Sequence, residues 1–149
     1  MAETLGSLSD KLTIVKLKQY HTNDRKRLKN LSLQENDIKN EIDQFIYYAF
    51  TGVIEIAKLT FKANKVYKKQ GNEINEIKGT IGQIFSKLSE VNCELWHEQE
   101  KVYEFENIPV REKDEVVKKL ALLNLERNNC IDEINNVLKK AVVKYRSKK

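Results

Sequence analysis

The side chains most capable of chemistry in this sequence cluster around its only tryptophan. Glu94 and His97 are three residues apart, a spacing that brings a carboxylate and an imidazole onto one helix face, as in di-iron bundles. Such a centre needs a second E-x-x-H and two further glutamates. The only other histidine, His21, follows Lys18 at that spacing. A single metal on His97 and Glu100, with Glu94 behind, is the weaker alternative, so the sequence predicts no metal site.

Other catalytic motifs are absent from the sequence. Cys93 and Cys130 have neither a C-x-x-C spacing nor a zinc-type Cys/His pattern, so we expect free thiols. The glycine-rich phosphate loops G-x-x-x-x-G-K-[ST] and G-x-G-x-x-G and the nucleophile elbow G-x-S-x-G do not occur. P-loop enzymes, dinucleotide enzymes and serine hydrolases are therefore excluded. We expect no cofactor, and the sequence leaves open whether the protein is an enzyme.

The composition favours long helices that position these side chains. The chain has 149 residues with only one proline and five glycines, while 33% are charged and 40% hydrophobic. So few turn formers disfavour short-stranded β folds. We predict a single all-α domain over 1–149, an antiparallel up-down four-helix bundle. The helices that periodicity predicts lie at about 4–30, 33–70, 73–106 and 112–146.

Local signals set these boundaries. Ser32 and Glu35 have the spacing of a capping box, which predicts the start of the second helix. Gly71 and Pro109 are expected to end the second and third helices. Gly52 falls inside the second helix, where it predicts close packing or a kink. A turn near residue 31 would place residues of the first two helices at the same height in the bundle when their numbers sum to about 62. A turn near residue 110 would do the same for the third and fourth helices, with a sum of about 220.

Polar residues interrupt the heptad pattern of the third and fourth helices. Glu98, Asn124 and Arg127 occupy positions where the pattern predicts apolar side chains. The register places Glu94 and Glu98 level with 122–127, so we expect an Arg–carboxylate pair. Such a pair either fixes the register of the bundle or belongs to a polar pocket that binds a ligand.

Trp96 points about 130° away from the seam of its helix. Opposite it, residues 120–125 are apolar nearly all round the helix, a pattern typical of burial on all sides. Three interpretations remain open. They are a homodimer through the third and fourth helices, a shift in the phase of the seam, and an exposed platform for a ligand.

The net charge of +5 conceals a segregated pattern. Residues 137–149 carry six basic and no acidic side chains, and the second predicted helix adds five lysines. These are Lys58, Lys62, Lys65, Lys68 and Lys69. The C-terminal ends of the second and fourth helices are expected at one pole. Cations are favoured at helix C-termini, but they also attract nucleic acid or an acidic membrane surface.

No apolar run approaches the roughly 18 residues of a membrane span. The first residues lack the basic and apolar pattern of a secretory signal. We therefore expect a cytoplasmic protein without a membrane span.

Three segments resemble a group of small bacterial protein families of unknown function, often encoded among glycosyltransferase and lipopolysaccharide genes. Residues 3–14, 92–97 and 123–128 are similar to the families' I-D-K-L-[ST]-I, N-x-x-L-W-H-x-E-D and L-N-x-x-R-N patterns. This chain departs from them by Gln99-Glu100 in place of E-D and by Tyr103 where an arginine is usual. Of that acidic pair, this chain keeps one carboxylate, Glu100.

The resemblance implies a role in surface-glycan or nucleotide-sugar metabolism. Lys11, Lys18 and Arg127 would suit a phosphate or carboxylate, and Trp96 would stack on a sugar or base. We expect a sugar-phosphate or nucleotide-sugar ligand, or a partner enzyme. The alternatives are a non-catalytic homodimeric scaffold and, less favoured, a nucleic-acid-binding protein. The expected ligand-binding residues are Asp10, Lys11, Lys18, Asn92, Glu94, Trp96, His97, Glu98, Glu100, Asn124 and Arg127.

Overall fold

The computed structural model describes residues 2–64, 67 and 73–148. Within these residues there are four α-helices, two short 3-10 turns and no β-strand, so the predicted all-α, four-helix class is confirmed. None of these helices is both long enough and apolar enough to cross a membrane. The helices are α1 (Leu5–Tyr20), α2 (Arg25–Thr51), α3 (Ile81–Tyr103) and α4 (Val110–Ser147).

The turn between α1 and α2 comes earlier in the chain than predicted. Asp24 caps α2, because its carboxylate accepts a hydrogen bond of 2.8 Å from the backbone N–H of Arg27. The predicted boundaries near 30 and 33 are therefore wrong, and Ser32 lies inside α2. Glu35 of α2 accepts a hydrogen bond of 2.8 Å from Gln19 of α1. These two residues therefore lie at the same height, which is not the register that a turn near residue 31 predicts. A Ser-x-x-Glu spacing also fits a helix interior, so it could not locate the boundary alone.

The end of α2 is set by Gly52, which adopts a left-handed conformation with φ of +86°. Glycine reaches this region without the penalty that a Cβ imposes, and it commonly follows the last residue of a helix. Gly52 thus ends the helix at Thr51 rather than lying inside it. The predicted extension to about residue 70 is wrong, since residues 53–64 contain no α-helix. The expected stop at Gly71 lies outside the described residues.

The segment between α2 and α3 contributes to the core instead of forming a short turn. Ile54 and Leu59 are buried among the helices. Asn64 donates a hydrogen bond of 2.7 Å to Asp132 of α4. Burial raises the pKa of Asp132, and this hydrogen bond only partly offsets the increase. The connection is therefore attached to α4 by both apolar and polar contacts.

The start of α3 also differs from the prediction. Thr80 caps the helix, and Thr80 and Gln83 form a capping box with hydrogen bonds of 3.3 and 2.9 Å. Residues 73–80 are not helical, so the predicted start near 73 is wrong. Ile77, which falls within the predicted third helix, packs against the core from this non-helical segment.

The last turn and last helix lie close to their predicted positions. Pro109 immediately precedes α4, in agreement with a turn near 110. In the first half of α4, Val116 and Leu123 are buried, whereas Val117 and Asn124 are exposed. The seam is therefore shifted relative to the predicted heptad. This is the phase shift that the sequence left open for this region.

α1 contacts all three other helices. The N–H of Gly6 donates a hydrogen bond of 2.7 Å to Asn135 Oδ1, and a Cβ on Gly6 would overlap the carbonyl of Ile131. Asp10, one turn further along α1, meets Arg127, so the contacts run in opposite order along α1 and α4. α2 packs mainly on α1. Within the described residues, α2 and α3 share at most a marginal contact.

The C-terminal ends of α2 and α4 lie together, as predicted. Arg146 donates hydrogen bonds to the backbone carbonyls of Ala49 and Ile54, the second at 2.8 Å. Of the five lysines assigned to the second helix, Lys58 and Lys62 follow α2 outside any α-helix. The other three, Lys65, Lys68 and Lys69, lie outside the described residues.

Candidate ligand-binding site

The expected Arg–carboxylate pair exists, but its carboxylate comes from α1. Arg127 Nε lies 3.8 Å from Asp10 Oδ1, an ion-pair distance too long for a hydrogen bond. The same oxygen accepts a hydrogen bond of 2.9 Å from the buried side chain of Asn92. The prediction that Glu94 or Glu98 pairs with Arg127 is therefore wrong. Asp10 instead connects α1 to both α3 and α4.

Arg127 has bonding capacity left over. Its Nε is buried without a hydrogen-bond partner among the described residues. The side chain as a whole is partly exposed. Asn92 and Asp10, in contrast, are buried. We infer that this trio mainly fixes the register of α1, α3 and α4.

Glu98 is buried on α3, at the core position that the heptad predicts. Burial raises the pKa of its carboxyl, but hydrogen bonds from Lys101 at 2.9 Å and Lys119 at 3.0 Å outweigh it and hold the pKa below its ordinary value. Both lysines bind the same oxygen, and the second oxygen, Oε2, is buried without a partner in the described part of the chain. Glu98 is therefore a charged group covered by two lysine side chains.

Three of the expected site residues point elsewhere. Asn124 is exposed and donates a hydrogen bond to the carbonyl of Leu120 in its own helix, so its predicted core position is wrong. Lys11 is exposed and pairs with Glu3. Lys18 is exposed and lines an open groove between α1 and α2. The lysines and Asn124 thus do not join the Asp10–Asn92–Arg127 trio in one pocket.

Trp96 packs against the turn after α1. Its ring is half-buried and stacks on His21, with centroids 4.6 Å apart and planes inclined by 20°. The indole N–H donates a hydrogen bond of 2.8 Å to Glu100 Oε1. The stacking on His21 partly covers Trp96, which lies away from the face of α3 that packs in the core. His21 was not among the expected site residues, and only its place near the start of a turn could have indicated it.

His21 joins several rings at this end of the bundle. Its Nδ1 lies 2.9 Å from the carbonyl of Leu17, so a neutral ring with the proton on Nδ1 leaves Nε2 as an acceptor. The ring of Tyr20 meets His21 edge-on at 5.2 Å, and that of His97 at 6.2 Å. His97 Nδ1 lies 3.7 Å from the second oxygen of Glu100. We name the group Tyr20, His21, Trp96, His97 and Glu100 the aromatic end.

An open groove of about 550 Å³ adjoins the aromatic end. Its lining combines an exposed ring with charged groups of both signs, so it offers stacking and hydrogen bonding together. The lining residues are His97, Glu100, Lys101, Tyr103 and Glu104.

The first turn of α2 follows His21 and carries an unusual charge. Arg25, Lys26 and Arg27 are exposed there, and the turn contains no acidic residue. The positive end of the helix dipole disfavours cations at this position by a few tenths to about 1 kcal/mol each. The carboxylate of Asp24 already caps this helix N-terminus, so a further anion would be attracted by the three basic side chains. We name these three residues the cationic turn.

The remaining reactive groups do not form a site. Burial raises the pKa of the Cys130 thiol to about 11, so it stays protonated and unreactive at neutral pH. Cys93 and Cys130 are not bonded to each other. In the described ranges, no three His, Cys, Asp or Glu side chains are grouped so that they could hold a metal ion.

No protein-family model matches the chain, and searches of curated proteins and of solved structures give no significant match. The functional interpretation therefore depends on the geometry of the aromatic end and the cationic turn.

Proposed function

We propose that this protein binds an anionic sugar-phosphate or nucleotide-sugar ligand at the aromatic end. One observation carries the proposal. The stacked Trp96–His21 pair lies a few residues from the cationic turn, where three basic side chains surround a helix N-terminus.

The two parts of this surface suit the two parts of such a ligand. A phosphate accepts hydrogen bonds from guanidinium groups and is attracted by the exposed cations of the cationic turn. The exposed faces and edges of aromatic rings pack against a sugar or a base. Glu100 and His21 Nε2 would accept hydrogen bonds from ligand hydroxyls.

The resemblance to families encoded among glycosyltransferase genes supports a ligand from surface-glycan or nucleotide-sugar metabolism. It also supports a partner enzyme that delivers or receives such a ligand. The proposal concerns binding, and it assigns no catalytic step to the chain.

The test is calorimetric titration with UDP-glucose, UDP and glucose 1-phosphate. We expect Arg25→Gln combined with Lys26→Gln to weaken binding of at least one of these about tenfold, since charge-assisted hydrogen bonds contribute about 1.5–3 kcal/mol. Both side chains are exposed, so the melting temperature without ligand should change little. His21→Ala should weaken the same complex by removing the partner of Trp96.

The matched control is Lys140→Gln combined with Lys144→Gln. It removes the same charge from exposed positions on α4, near the other end of the molecule. Binding that is absent for all three compounds, or an equal loss in this control, would overturn the proposal.

A homodimeric scaffold is the second candidate, because α4 exposes two valines on one face. Val110 and Val117 are 83% and 52% exposed, and their spacing of seven residues places them on one face of the helix. A second copy packed along this face would cover them. Light scattering should then report a dimer that Val117→Glu dissociates, and a monomeric wild-type protein would contradict this candidate.

A further inference from the structure

The end of the molecule opposite the cationic turn has a different chemistry. α2 has 27 residues, so its two ends are about 40 Å apart. At its C-terminal end, Arg146 binds the carbonyls of Ala49 and Ile54 and fixes the last turn of α4 there. The rings of Phe50 and Tyr145 also meet edge-on, with centroids 5.3 Å apart. The chain after α2 and the end of α4 therefore form one surface.

Apolar side chains are exposed on this surface. Val53, directly after the helix-ending glycine, is 65% exposed, and Val143 on the last turns of α4 is 42% exposed. Tyr47 and Tyr145 are also exposed large side chains. A single exposed valine is ordinary in a folded protein. Two valines and two tyrosines exposed at one end of a helical bundle are side chains that suit an apolar or interfacial partner.

Basic side chains are exposed at the same end of the molecule. Lys140 and Lys144 are exposed on the last two turns of α4, and Lys148 is exposed directly after the helix. Lys58 lines the same shallow groove as Val53. Residues 137–149 contain no acidic side chain. The opposing charges in the groove come from Glu3, which pairs with Lys11, and from Glu55. The helix dipole favours cations only within the last turn, and Lys140 lies before it.

We propose that this surface, the basic end, attaches the protein peripherally to an anionic lipid bilayer. Lysines at a bilayer surface are attracted by acidic headgroups, and tyrosine and valine side chains enter the interfacial region beside them. Neither contact needs a membrane-spanning helix. Valines add nothing to nucleic-acid binding, which uses cations with stacking rings, so the exposed Val53 and Val143 favour lipid over a polyanion in solution.

The attachment is independent of the proposed ligand site. With the basic end on a bilayer, the aromatic end would lie about 40 Å away along α2, facing the solvent. Failure of one proposal would therefore leave the other intact.

Co-sedimentation with lipid vesicles tests the inference. We expect the full chain to bind vesicles of equimolar phosphatidylglycerol and phosphatidylcholine, and not vesicles of phosphatidylcholine alone. Raising the NaCl concentration from about 0.1 to about 0.5 M should release most of the protein, because salt screens exposed charges.

Two sets of variants separate charge from apolar insertion. Lys140→Glu, Lys144→Glu and Lys148→Glu together should reduce the bound fraction at least about tenfold, given the attraction of each lysine to acidic lipid. Val53→Ser with Val143→Ser, which keeps the charge, should reduce binding several-fold. All five side chains are exposed, so circular dichroism and the melting temperature should confirm that each variant folds.

The matched control is Lys29→Glu, Arg111→Glu and Lys118→Glu, which makes the same charge change at exposed positions on the halves of α2 and α4 far from the basic end. It should bind anionic vesicles as the wild type does. The inference is overturned by absent vesicle binding, by equal binding to uncharged vesicles, or by an equal loss in this control. Unchanged binding of the valine variant, together with tighter binding of a single-stranded RNA, would identify a nucleic-acid surface instead.

Discussion

Glu98 is a carboxylate that the fold removes almost completely from water, yet its pKa lies below the ordinary value. Two lysines achieve this, one from the same helix and one from α4. A buried carboxylate without partners would instead take up a proton. The lysine pair therefore holds a charge inside the α3–α4 interface and couples the interface to pH.

Glu98→Gln should lower the free energy of unfolding by about 1–3 kcal/mol at pH 7, since it removes charge-assisted hydrogen bonds from both lysines. The folded-state pKa lies below its ordinary value near 4.5, so the carboxylate stabilises the fold above that pH. This contribution is lost as the pH falls through the lower, folded-state pKa. Urea unfolding at pH 7 and at acid pH should therefore show the difference between wild type and variant shrinking in acid.

Glu94→Gln is the control for this prediction. Glu94 lies one turn earlier on α3 and is only half-buried. The same chemical change there should alter stability by less than about 0.5 kcal/mol. An equal effect of the two variants, or a difference for Glu98→Gln that does not depend on pH, would show that Glu98 does not hold a buried charge.

At the scale of the helices, α1 and α4 approach each other closely at Gly6. A Cβ at this position would lie 2.8 Å from Asn135 Oδ1 and would overlap the backbone of Ile131. The absence of a side chain also allows the N–H of Gly6 to reach Asn135. Gly6 therefore sets the distance between the two helices.

Gly6→Ala should destabilise the protein by about 1–3 kcal/mol, because neighbouring backbone must move to make room. Gly82 of α3 has no heavy atom within 4 Å of the position its Cβ would take. Gly82→Ala should therefore stabilise by about 0.5–1 kcal/mol, the usual helical preference for alanine. Thermal melts of the two variants should shift in opposite directions, and shifts of the same sign would contradict the close contact.

Considered as a whole, the molecule is completed by the connection between α2 and α3, whose described residues form no α-helix. Leu59 lies between α2 and α3 and is 0% exposed, as buried as any core residue of the helices. Asn64, further along the same segment, is hydrogen-bonded to α4. The bundle thus needs this connection to close its core at the basic end.

Leu59→Ala should lower the free energy of unfolding by about 2–5 kcal/mol, the cost of a cavity in a packed core. Phe61, two residues later, is 39% exposed, and Phe61→Ala should cost clearly less. Urea denaturation measures both. A small effect for Leu59→Ala would mean that the connection is not part of the cooperative core.

The predictability of the site differs from residue to residue. The irregular positions of Glu98 and Arg127 in the heptads correctly indicated buried or partly buried charges that need partners. Their partners could not be deduced, because Asp10 lies on another helix and its height depends on the turn after α1. The predicted heptad also placed Asn124 at a core position, but the seam of α4 is shifted and this side chain faces outward. Whether any of these residues binds a ligand stays a prediction.

The sequence by itself determined the helical class and the turn at Pro109. The helical class could be predicted because it depends on local properties. Few glycines and prolines leave the helical backbone uninterrupted, and a long apolar periodicity indicates that one face of each helix is buried. Only the tertiary structure decided where α2 begins and ends, because the Ser32 capping spacing and the apolar run through Gly52 fit more than one backbone. It also decided that Asp10 meets Arg127 and that His21 stacks on Trp96. These contacts join residues distant in the chain, and they depend on register and helix packing that no local pattern encodes.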